Sequence, residues 1–290
     1  MNRFDRQVLM FGEAGQRKLE AQRPGIVGAG GIGSHIAQGL AYLGVQRFGI
    51  VDDDQIDETN LNRVVGAGPG DLGQFKTDVA KRNVLKILPG ADVASLPVNL
   101  RTREAFDLLR GCSIILGCLD HDGPRLVLTE FAAAYRIPLI DIATEIFPAA
   151  PERAFDFGGR VVVARPGEYC LFCANQIDRE IAKAELESPA VAALRIKHGY
   201  GLGKQGPTPS VCALNGIVAN LAITEFMMMT TGIREPFHRL TYKGMRGVVT
   251  ASNDRSAADC YTCHCICGQG DRAGLDRYIQ PILPANSYSG

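Results

Sequence analysis

A glycine-rich segment, Gly28-Ala29-Gly30-Gly31-Ile32-Gly33, has the residue types and spacing of a phosphate-binding turn. Glycines let the backbone turn sharply and approach a phosphate, and the N-terminus of a following helix favours negative charge. The segment stands between a strand-like run at 24–27 and a helix-like run at 34–43, which is the context that such a turn requires. We therefore predict that Gly28, Gly30, Gly31 and Gly33 bind a nucleotide. A tight turn needed only for packing is the alternative.

Three consecutive aspartates, Asp52, Asp53 and Asp54, follow the next strand-like run at 47–51. A carboxylate at this place usually meets the hydroxyls of a ribose, so Asp52 alone would suggest NAD or FAD. A solvated strand end is the other interpretation, and it explains Asp53 better than Asp52 or Asp54.

Four residues downstream favour ATP with magnesium over NAD: Asn60, Arg63, Lys76 and Asp120. The first three lie in a long polar loop and at the start of the next helix, on the side where parallel strands end. The cations would offset charge on the phosphates, and Asp120, after a strand at 113–117, could hold or orient Mg²⁺. Taken singly, Arg63 and Lys76 could be surface charges and Asp120 a helix cap.

Two CxxC pairs, Cys170 with Cys173 and Cys260 with Cys263, supply the four thiolates of a structural tetrahedral zinc site. Alternative ligands follow directly in the tail, at His264, Cys265 and Cys267. Unpaired reduced thiols are the second interpretation. A redox CxxC is disfavoured because neither pair lies at a thioredoxin-like strand-to-helix junction.

The elements that would position these residues alternate between strand-like and helix-like runs over the first two thirds of the chain, which is typical of a parallel sheet wrapped by helices. After a strand at 138–142 come a strand at 159–165, a charged helix at 176–194, a glycine-rich loop at 200–209, an apolar helix at 211–230 and two short strands at 240–250. We predict an α/β fold: a Rossmann-like parallel sheet with flanking helices, extended by a smaller antiparallel part and a zinc-binding tail. Residues 1–270 would form one domain and 271–290 an irregular tail.

Composition excludes several classes of protein. The 290 residues include 31 basic and 31 acidic side chains, so bulk attraction to nucleic acid is not expected. The apolar run at 211–230 contains Asn215, Asn220 and Glu225, each costly in lipid, and is better interpreted as a buried helix in the core or at a subunit contact. The polar start lacks a secretory signal, and nine cysteines without an export signal argue against disulfides. We expect a cytoplasmic protein that does not enter membranes.

In their order and spacing, these motifs resemble the ThiF/MoeB/HesA family, the bacterial relatives of ubiquitin-activating enzymes. The resemblance runs from residue 4 to about 267 and rests on Phe4-Asp5-Arg6-Gln7-Val8-Leu9, the glycine turn, Val51-Asp52-Asp53-Asp54-Gln55-Ile56, Thr59-Asn60-Leu61-Asn62-Arg63, Gly73-Gln74-Phe75-Lys76 and Cys118-Leu119-Asp120. One departure is that Val64-Val65-Gly66 follows Arg63, where many relatives carry an arginine–glutamine pair after the asparagine–leucine.

The resemblance implies an enzyme that adenylates the C-terminal glycine carboxylate of a small ubiquitin-like or sulfur-carrier protein and releases pyrophosphate. It implies that Asp52 holds the ribose of ATP, Arg63 and Lys76 the phosphates and Asp120 the magnesium, while Arg6 reaches the triphosphate of the other protomer in a homodimer. It also implies zinc on the two CxxC pairs. The carboxylate is already a nucleophile, so no general base is needed.

Several questions stay open at this stage. Some members of the family pass the activated carrier to a cysteine in the loop after the first CxxC, but no cysteine lies between Cys173 and Cys212, so we assign no thioester cysteine. Either the enzyme stops at the acyl-adenylate or another thiol serves. Cys212, at the start of the apolar helix, is a reactive candidate or a small core residue, and Cys265 and Cys267 are candidates in the tail. A sulfurtransferase or a conjugating enzyme could act next. The alternative functions are activation of a small molecule, a peptide terminus or a tRNA base by the same fold, an NAD-dependent oxidoreductase, and a non-catalytic binding module.

Overall fold

A computed structural model describes residues 3–151, 154–188 and 209–280. In these ranges the helices are α1 (Asp5–Ala21, kinked at Gly12), α2 (Gly31–Leu43), α3 (Lys76–Ile87), α4 (Arg103–Arg110), α5 (Asp122–Ala134), α6 (Arg179–Leu186) and α7 (Cys212–Thr231). The strands are β1 (Pro24–Val27), β2 (Arg47–Val51), β3 (Asp92–Leu96), β4 (Ile114–Gly117), β5 (Leu139–Phe147), β6 (Asp156–Ala164), β7 (Arg239–Lys243) and β8 (Val248–Ser252).

One eight-stranded sheet, in the order β3-β2-β1-β4-β5-β6-β7-β8, organises the described residues. The first five strands in that order pair in parallel, and the last three continue the sheet in antiparallel pairs. Strands β1 and β4 are buried along their whole length because helices cover both faces, as in other parallel sheets. The α/β fold with an antiparallel extension is therefore confirmed.

Two hydrophobic cores lie on opposite faces of the sheet. The neighbours Ile26 and Val27 on β1 belong to different cores, as alternation along a strand requires. One core joins the sheet to α2 and α7 through residues such as Phe226, and the other joins it to α4 and α5 through Phe131. Leu275 is buried in the second core, so the chain after residue 271 packs onto the domain as short 3₁₀ turns as far as residue 278.

Helix α7 matches the predicted apolar helix. By length and composition it could cross a membrane, and it is the one helix among the described residues that could; half of its most apolar window is buried within the protein. It packs against α1, α2, β5 and β6. The buried Glu225 carboxylate accepts hydrogen bonds from Arg234 Nη1 and the Phe237 amide, each at 2.9 Å. This internal pairing of a buried charge is what a core helix requires.

Some boundaries differ from the prediction. Strand β5 continues to Phe147, beyond the predicted end at 142, because β6 pairs with it from Leu139–Ala164 to Phe147–Asp156. Helix α6 begins after Asp178, whose carboxylate caps the Glu180 and Ile181 amides, rather than at 176. The rest of that predicted helix beyond 188, and the glycine-rich loop up to residue 208, lie outside the described residues.

Candidate functional site

A cavity of about 1110 Å³ lies at the carboxyl ends of the parallel strands. From β1 the sheet grows to β2 on one side and to β4 on the other, and this reversal of strand order is where open α/β sheets bind ligands. Nine of the predicted nucleotide-binding residues line the cavity: Gly28, Gly30, Gly31, Asp52, Asp54, Asn60, Arg63, Lys76 and Asp120. Gly33 is outside the lining, and so is Arg6, which lies exposed on α1.

The glycines of the turn are required for different structural reasons. Gly28 has a φ of +91°, and a Cβ there would lie 2.6 Å from the Cys118 carbonyl oxygen. A Cβ on Gly33 would overlap the Gly28 carbonyl, so Gly33 is required by packing beneath the turn. A Cβ on Gly30 would meet no atom within 4 Å and would project into open space. The turn therefore leaves room at Gly30, which lines the cavity at the N-terminus of α2.

Asp52 ties the glycine turn to the end of β2. Its Oδ2 accepts a hydrogen bond from the Ala29 amide at 2.6 Å, and its Oδ1 accepts one from the Asp54 amide at 2.8 Å. Burial raises the pKa of Asp52, and the nearby Lys76 ammonium opposes that shift. Each carboxylate oxygen can accept a further bond, so this structural role is compatible with binding a hydroxyl group.

The cationic residues lie across the mouth of the turn. Lys76 Nζ lies 2.6 Å from Asp54 Oδ2. The Arg63 side chain passes over the turn, with its Cδ 3.5 Å from the position a Cβ on Gly31 would take, and its Nη1 donates to the Thr59 carbonyl. Both cations thus come from the long loop and the start of α3, as the sequence predicts.

Asn60 contributes a buried amide oxygen to the cavity, and Asp120 contributes an exposed carboxylate. Asn60 is 3% exposed, and its Oδ1 has no hydrogen-bond partner in the described part of the chain. The Asp120 side chain is 81% exposed beyond β4 and faces His121, with 3.8 Å between Oδ1 and Nε2. The carboxylates of Asp52, Asp53 and Asp54 also converge to within 4.8 Å of one another. Oxygen donors of this kind suit Mg²⁺.

Other residues in the cavity lining carry no motif, and sequence reasoning missed them. Arg125 on α5 binds the buried Asp141 of β5 through two hydrogen bonds, with Nε to Oδ1 at 3.0 Å. Arg160 on β6 pairs with Glu145 of β5. Asn215 of α7 bridges to Thr144 and Ser210 at 3.2 and 3.1 Å. The only sequence signal was a lone charged residue inside an apolar run, as at Arg125 before Leu126-Val127-Leu128.

Cys212 lies at the start of α7, half-buried and outside the cavity lining. Its Sγ is 3.6 Å from His35 Nε2 of α2. Burial lowers the pKa of His35, which favours a neutral imidazole at this contact.

The four cysteines of the two CxxC pairs come together, with their Sγ atoms all within 4.8 Å of one another. Sγ of Cys170 lies 3.5 Å from that of Cys260, and Sγ of Cys173 lies 3.7 Å from that of Cys263. Tetrahedral ligands with Zn–S bonds of about 2.3 Å would be about 3.8 Å apart, so this cluster could bind zinc. The following Cys265 is exposed and is not part of the cluster.

The pKa values of these thiols are shifted in opposite directions. Hydrogen bonding from Cys263 lowers the pKa of Cys170 to about 6, whereas burial raises that of Cys260 to about 11. The lowered pKa shifts Cys170 towards the thiolate, which is the form of cysteine that ligates a metal.

The family assignment rests on a match over most of the chain. The model of the ThiF family matches residues 4–264, and the chain belongs to that family.

Two curated relatives are fungal proteins described as adenylyltransferase and sulfurtransferase UBA4. The one from Meyerozyma guilliermondii is 33% identical over 141 residues, which are 48% of this chain and 33% of that protein. The one from Saccharomyces cerevisiae strain YJM789 is 35% identical over 141 residues, 48% of this chain and 32% of that protein. The chain thus spans about a third of the length of these relatives.

Among solved structures, the chain is similar to E. coli MccB with AMPCPP and MccA, at a TM-score of 0.70 and 22% identity over 90% of this chain and 74% of MccB. MccB with ATP gives a TM-score of 0.69 at 22% identity, with 90% and 74% covered. PaaA gives 0.64 at 17% identity, with 88% and 73% covered. At these identities the likeness concerns the fold.

Proposed function

We propose that this protein is an ATP-dependent adenylyltransferase that activates the C-terminal glycine carboxylate of a small ubiquitin-like or sulfur-carrier protein. The observation that carries the proposal is one cavity in which an open glycine turn meets Arg63, Lys76 and Asp120. The relatives described as adenylyltransferases, and the solved complex of MccB with ATP, support it.

The substrate carboxylate attacks the α-phosphorus of ATP, one P–O bond forms, and the bond to the β-phosphate oxygen breaks. The products are an acyl-adenylate and pyrophosphate. Room at Gly30 lets the phosphates approach the N-terminus of α2, while Arg63 and Lys76 offset their charge. Asp52 holds the ribose with the lone pairs that remain free beside the two hydrogen bonds it accepts from backbone amides.

Magnesium is part of this proposal because of the charge balance of the cavity. Seven carboxylates and four Lys or Arg side chains line it, so a triphosphate would enter an already anionic environment. A divalent cation bound by the phosphates would relieve that repulsion, and Asp120 would orient it through its exposed carboxylate.

Zinc on Cys170, Cys173, Cys260 and Cys263 would be structural. The first two ligands lie just after β6 and the last two flank the start of the π-turn Thr262–Ile266, so the ion would fasten the C-terminal segment to the domain. Four thiolates leave no open coordination position for catalysis.

The proposal includes a homodimer in which Arg6 reaches the triphosphate bound by the partner. Arg6 is exposed on α1, and the neighbouring Leu9 and Met10 are 88% and 60% exposed, so this helix presents apolar surface to solvent in a single chain. We place the enzyme in the cytoplasm, with a carrier ending in Gly-Gly as its substrate and a sulfurtransferase or conjugating enzyme downstream.

A second candidate is activation of a peptide terminus, favoured by the similarity to MccB solved with MccA. The test for both is ATP–pyrophosphate exchange in the presence of either a small protein or a peptide with a free C-terminus. Thermal shift with ATP·Mg²⁺ against NAD separates either candidate from an oxidoreductase: ATP·Mg²⁺ should raise Tm and NAD should not. Stabilisation by NAD alone would overturn the proposed function.

A further inference from the structure

We propose that Arg160 binds the terminal carboxylate of the substrate and presents it to the nucleotide. This inference rests on the proposed adenylation and names the residue that selects a free carboxylate. Arg160 belongs to none of the sequence motifs described above; it is a single cation in the strand β6, Asp156–Ala164.

A second cavity, of about 1020 Å³, runs along β6, β7 and the turn after β7. It shares Glu145, Phe147, Arg160 and Gln176 with the nucleotide cavity. The two cavities therefore adjoin, and Arg160 is the cation in the lining that they share. A chain lying in the second cavity would reach the nucleotide past this side chain.

The guanidinium of Arg160 has one paired edge and one edge without a hydrogen-bond partner among the described residues. Its Nη1 donates to Glu145, while Nε is buried and has no hydrogen-bond partner in the described part of the chain. No described residue bonds Nη2 either, although the side chain is only 11% exposed. A buried donor without a partner is costly, and the Nε–Nη2 edge is the fork that binds a carboxylate through two parallel hydrogen bonds.

On the side of the second cavity, the charged residues favour an anion at that edge. Burial and the nearby Arg125 lower the pKa of Arg160, the carboxylates of Asp141, Glu145 and Asp122 oppose that shift, and an arginine remains protonated at neutral pH. The second cavity also carries Arg239, Lys243 and Arg246, against the two carboxylates of Glu145 and Asp156. A carboxylate bound there would thus offset the charge of the Arg160 guanidinium, whose burial destabilises the folded state.

The walls of the second cavity suit the segment that leads to that carboxylate. Phe155, Phe157 and Tyr242 contribute aromatic side chains beside the cations. An extended peptide could pack its backbone and apolar groups there, with its C-terminus at Arg160. Formation of the acyl-adenylate removes the negative charge of the carboxylate, so Arg160 would bind the substrate more tightly than the product.

The test uses a probe with a defined terminus. Fluorescent octapeptides ending in Gly-Gly, pooled over the other positions, are prepared as free acids and as C-terminal amides. Their binding to the full-length protein with AMPCPP and Mg²⁺ is measured by anisotropy. We expect the wild type to bind the acid at least about tenfold more tightly than the amide, because a charged hydrogen-bonded pair contributes about 1.5–3 kcal/mol.

Arg160→Gln should reduce this preference to less than about twofold, and Arg160→Lys should restore part of it, because an ammonium keeps the charge without the fork. The matched control is Arg165→Gln, which removes the next arginine along the chain, one that lies outside both cavities and pairs with Glu235. The control should keep the full preference for the acid.

AMPCPP affinity, measured on the same samples, separates this inference from the proposed function. If the wild type does not bind AMPCPP, the adenylation proposal fails. If it binds AMPCPP but Arg160→Gln retains the acid preference, or the wild type binds acid and amide alike or binds neither, the role of Arg160 is overturned. Equal loss of preference in Arg165→Gln would reduce the effect to net charge and would also overturn it.

Discussion

Lys76 and Asp54 are joined twice: Nζ lies 2.6 Å from Oδ2, and the Lys76 amide donates to the Asp54 carbonyl at 3.0 Å. These bonds join the end of the long loop after β2 to the start of α3, so the loop returns its cation to the glycine turn. The lysine side chain is 12% exposed and the carboxylate 67%. The ammonium is thus held in position by a partner that a phosphate could share.

We predict that Lys76→Ala weakens ATP·Mg²⁺ binding about tenfold to a hundredfold, because a charged contact to the phosphates is lost. Isothermal titration calorimetry measures the dissociation constant of ATP·Mg²⁺ for both proteins. The control Lys183→Ala removes an exposed lysine of α6 that pairs with Glu180, and this variant should bind ATP·Mg²⁺ as the wild type does. Wild-type affinity in Lys76→Ala would contradict the assignment of this residue to the phosphates.

The geometry of the glycine turn predicts opposite results for substitutions at Gly30 and at Gly33. Gly33→Ala should lower the free energy of unfolding by about 1–3 kcal/mol or more, because its Cβ would overlap the Gly28 carbonyl. Gly30→Ala should change Tm little but weaken ATP binding, because its Cβ would enter the open space at the turn. Thermal denaturation and ATP titration of both variants check this. A destabilised Gly30→Ala, or a stable Gly33→Ala, would show that the turn is built differently.

The stability of the loop that carries Arg63 should decrease at acid pH, because Asp71 becomes protonated there. Two hydrogen bonds from Arg82, at 2.6 and 2.8 Å, lower the pKa of Asp71 to about 2. A carboxyl pKa that is lower in the folded state stabilises the fold above the ordinary pKa of 3.8, and this contribution is lost as pH falls towards 2.

Asp71→Asn should therefore be less stable than the wild type at pH 5, and the difference should shrink as the pH falls to 3. Urea unfolding at each pH gives the two free energies. Glu13→Gln, at an exposed pair with Arg17, is the control and should show no such convergence. A constant difference for Asp71→Asn would mean that its charge is not what holds the loop.

Zinc should depend on Cys263 but not on Cys265. The wild type should contain about one zinc per chain, Cys263→Ser should lose most of it with a lower Tm, and Cys265→Ser should keep it. Elemental analysis by mass spectrometry measures the ratio. Because the two cysteines are two residues apart and only Cys263 lies in the cluster, zinc loss in Cys265→Ser would show a different ligand set.

Local sequence pattern accounts for the part of the site built from consecutive residues. The run from β1 through Gly28 to α2, the carboxylates after β2 and the two CxxC pairs each show their chemistry in a short stretch, since strand, turn and helix signals adjoin them. The convergence of Cys170 with Cys260 followed from ligand chemistry rather than from spacing, because a tetrahedral ion needs four ligands.

The rest depends on which strands become neighbours. Arg160 and Glu145 meet because β5 and β6 pair along nine residues, and no local signal extends β5 beyond residue 142. Arg125 and Asp141 meet because the Arg125 side chain reaches from α5 to the third residue of β5, and each alone resembles a surface charge. Contacts of this kind are set by sheet order and packing, which periodicity does not reveal.

The measurement that tests the central claim most directly is ATP–pyrophosphate exchange with small proteins ending in Gly-Gly from the same genome. We predict exchange that requires both Mg²⁺ and a free Gly-Gly carboxylate. It should be lost in Arg63→Ala and Asp120→Ala and retained in Arg17→Ala, which alters an exposed pair on α1. Exchange that persists undiminished in Arg63→Ala and Asp120→Ala, or exchange that ignores the carrier's terminus, would contradict the account.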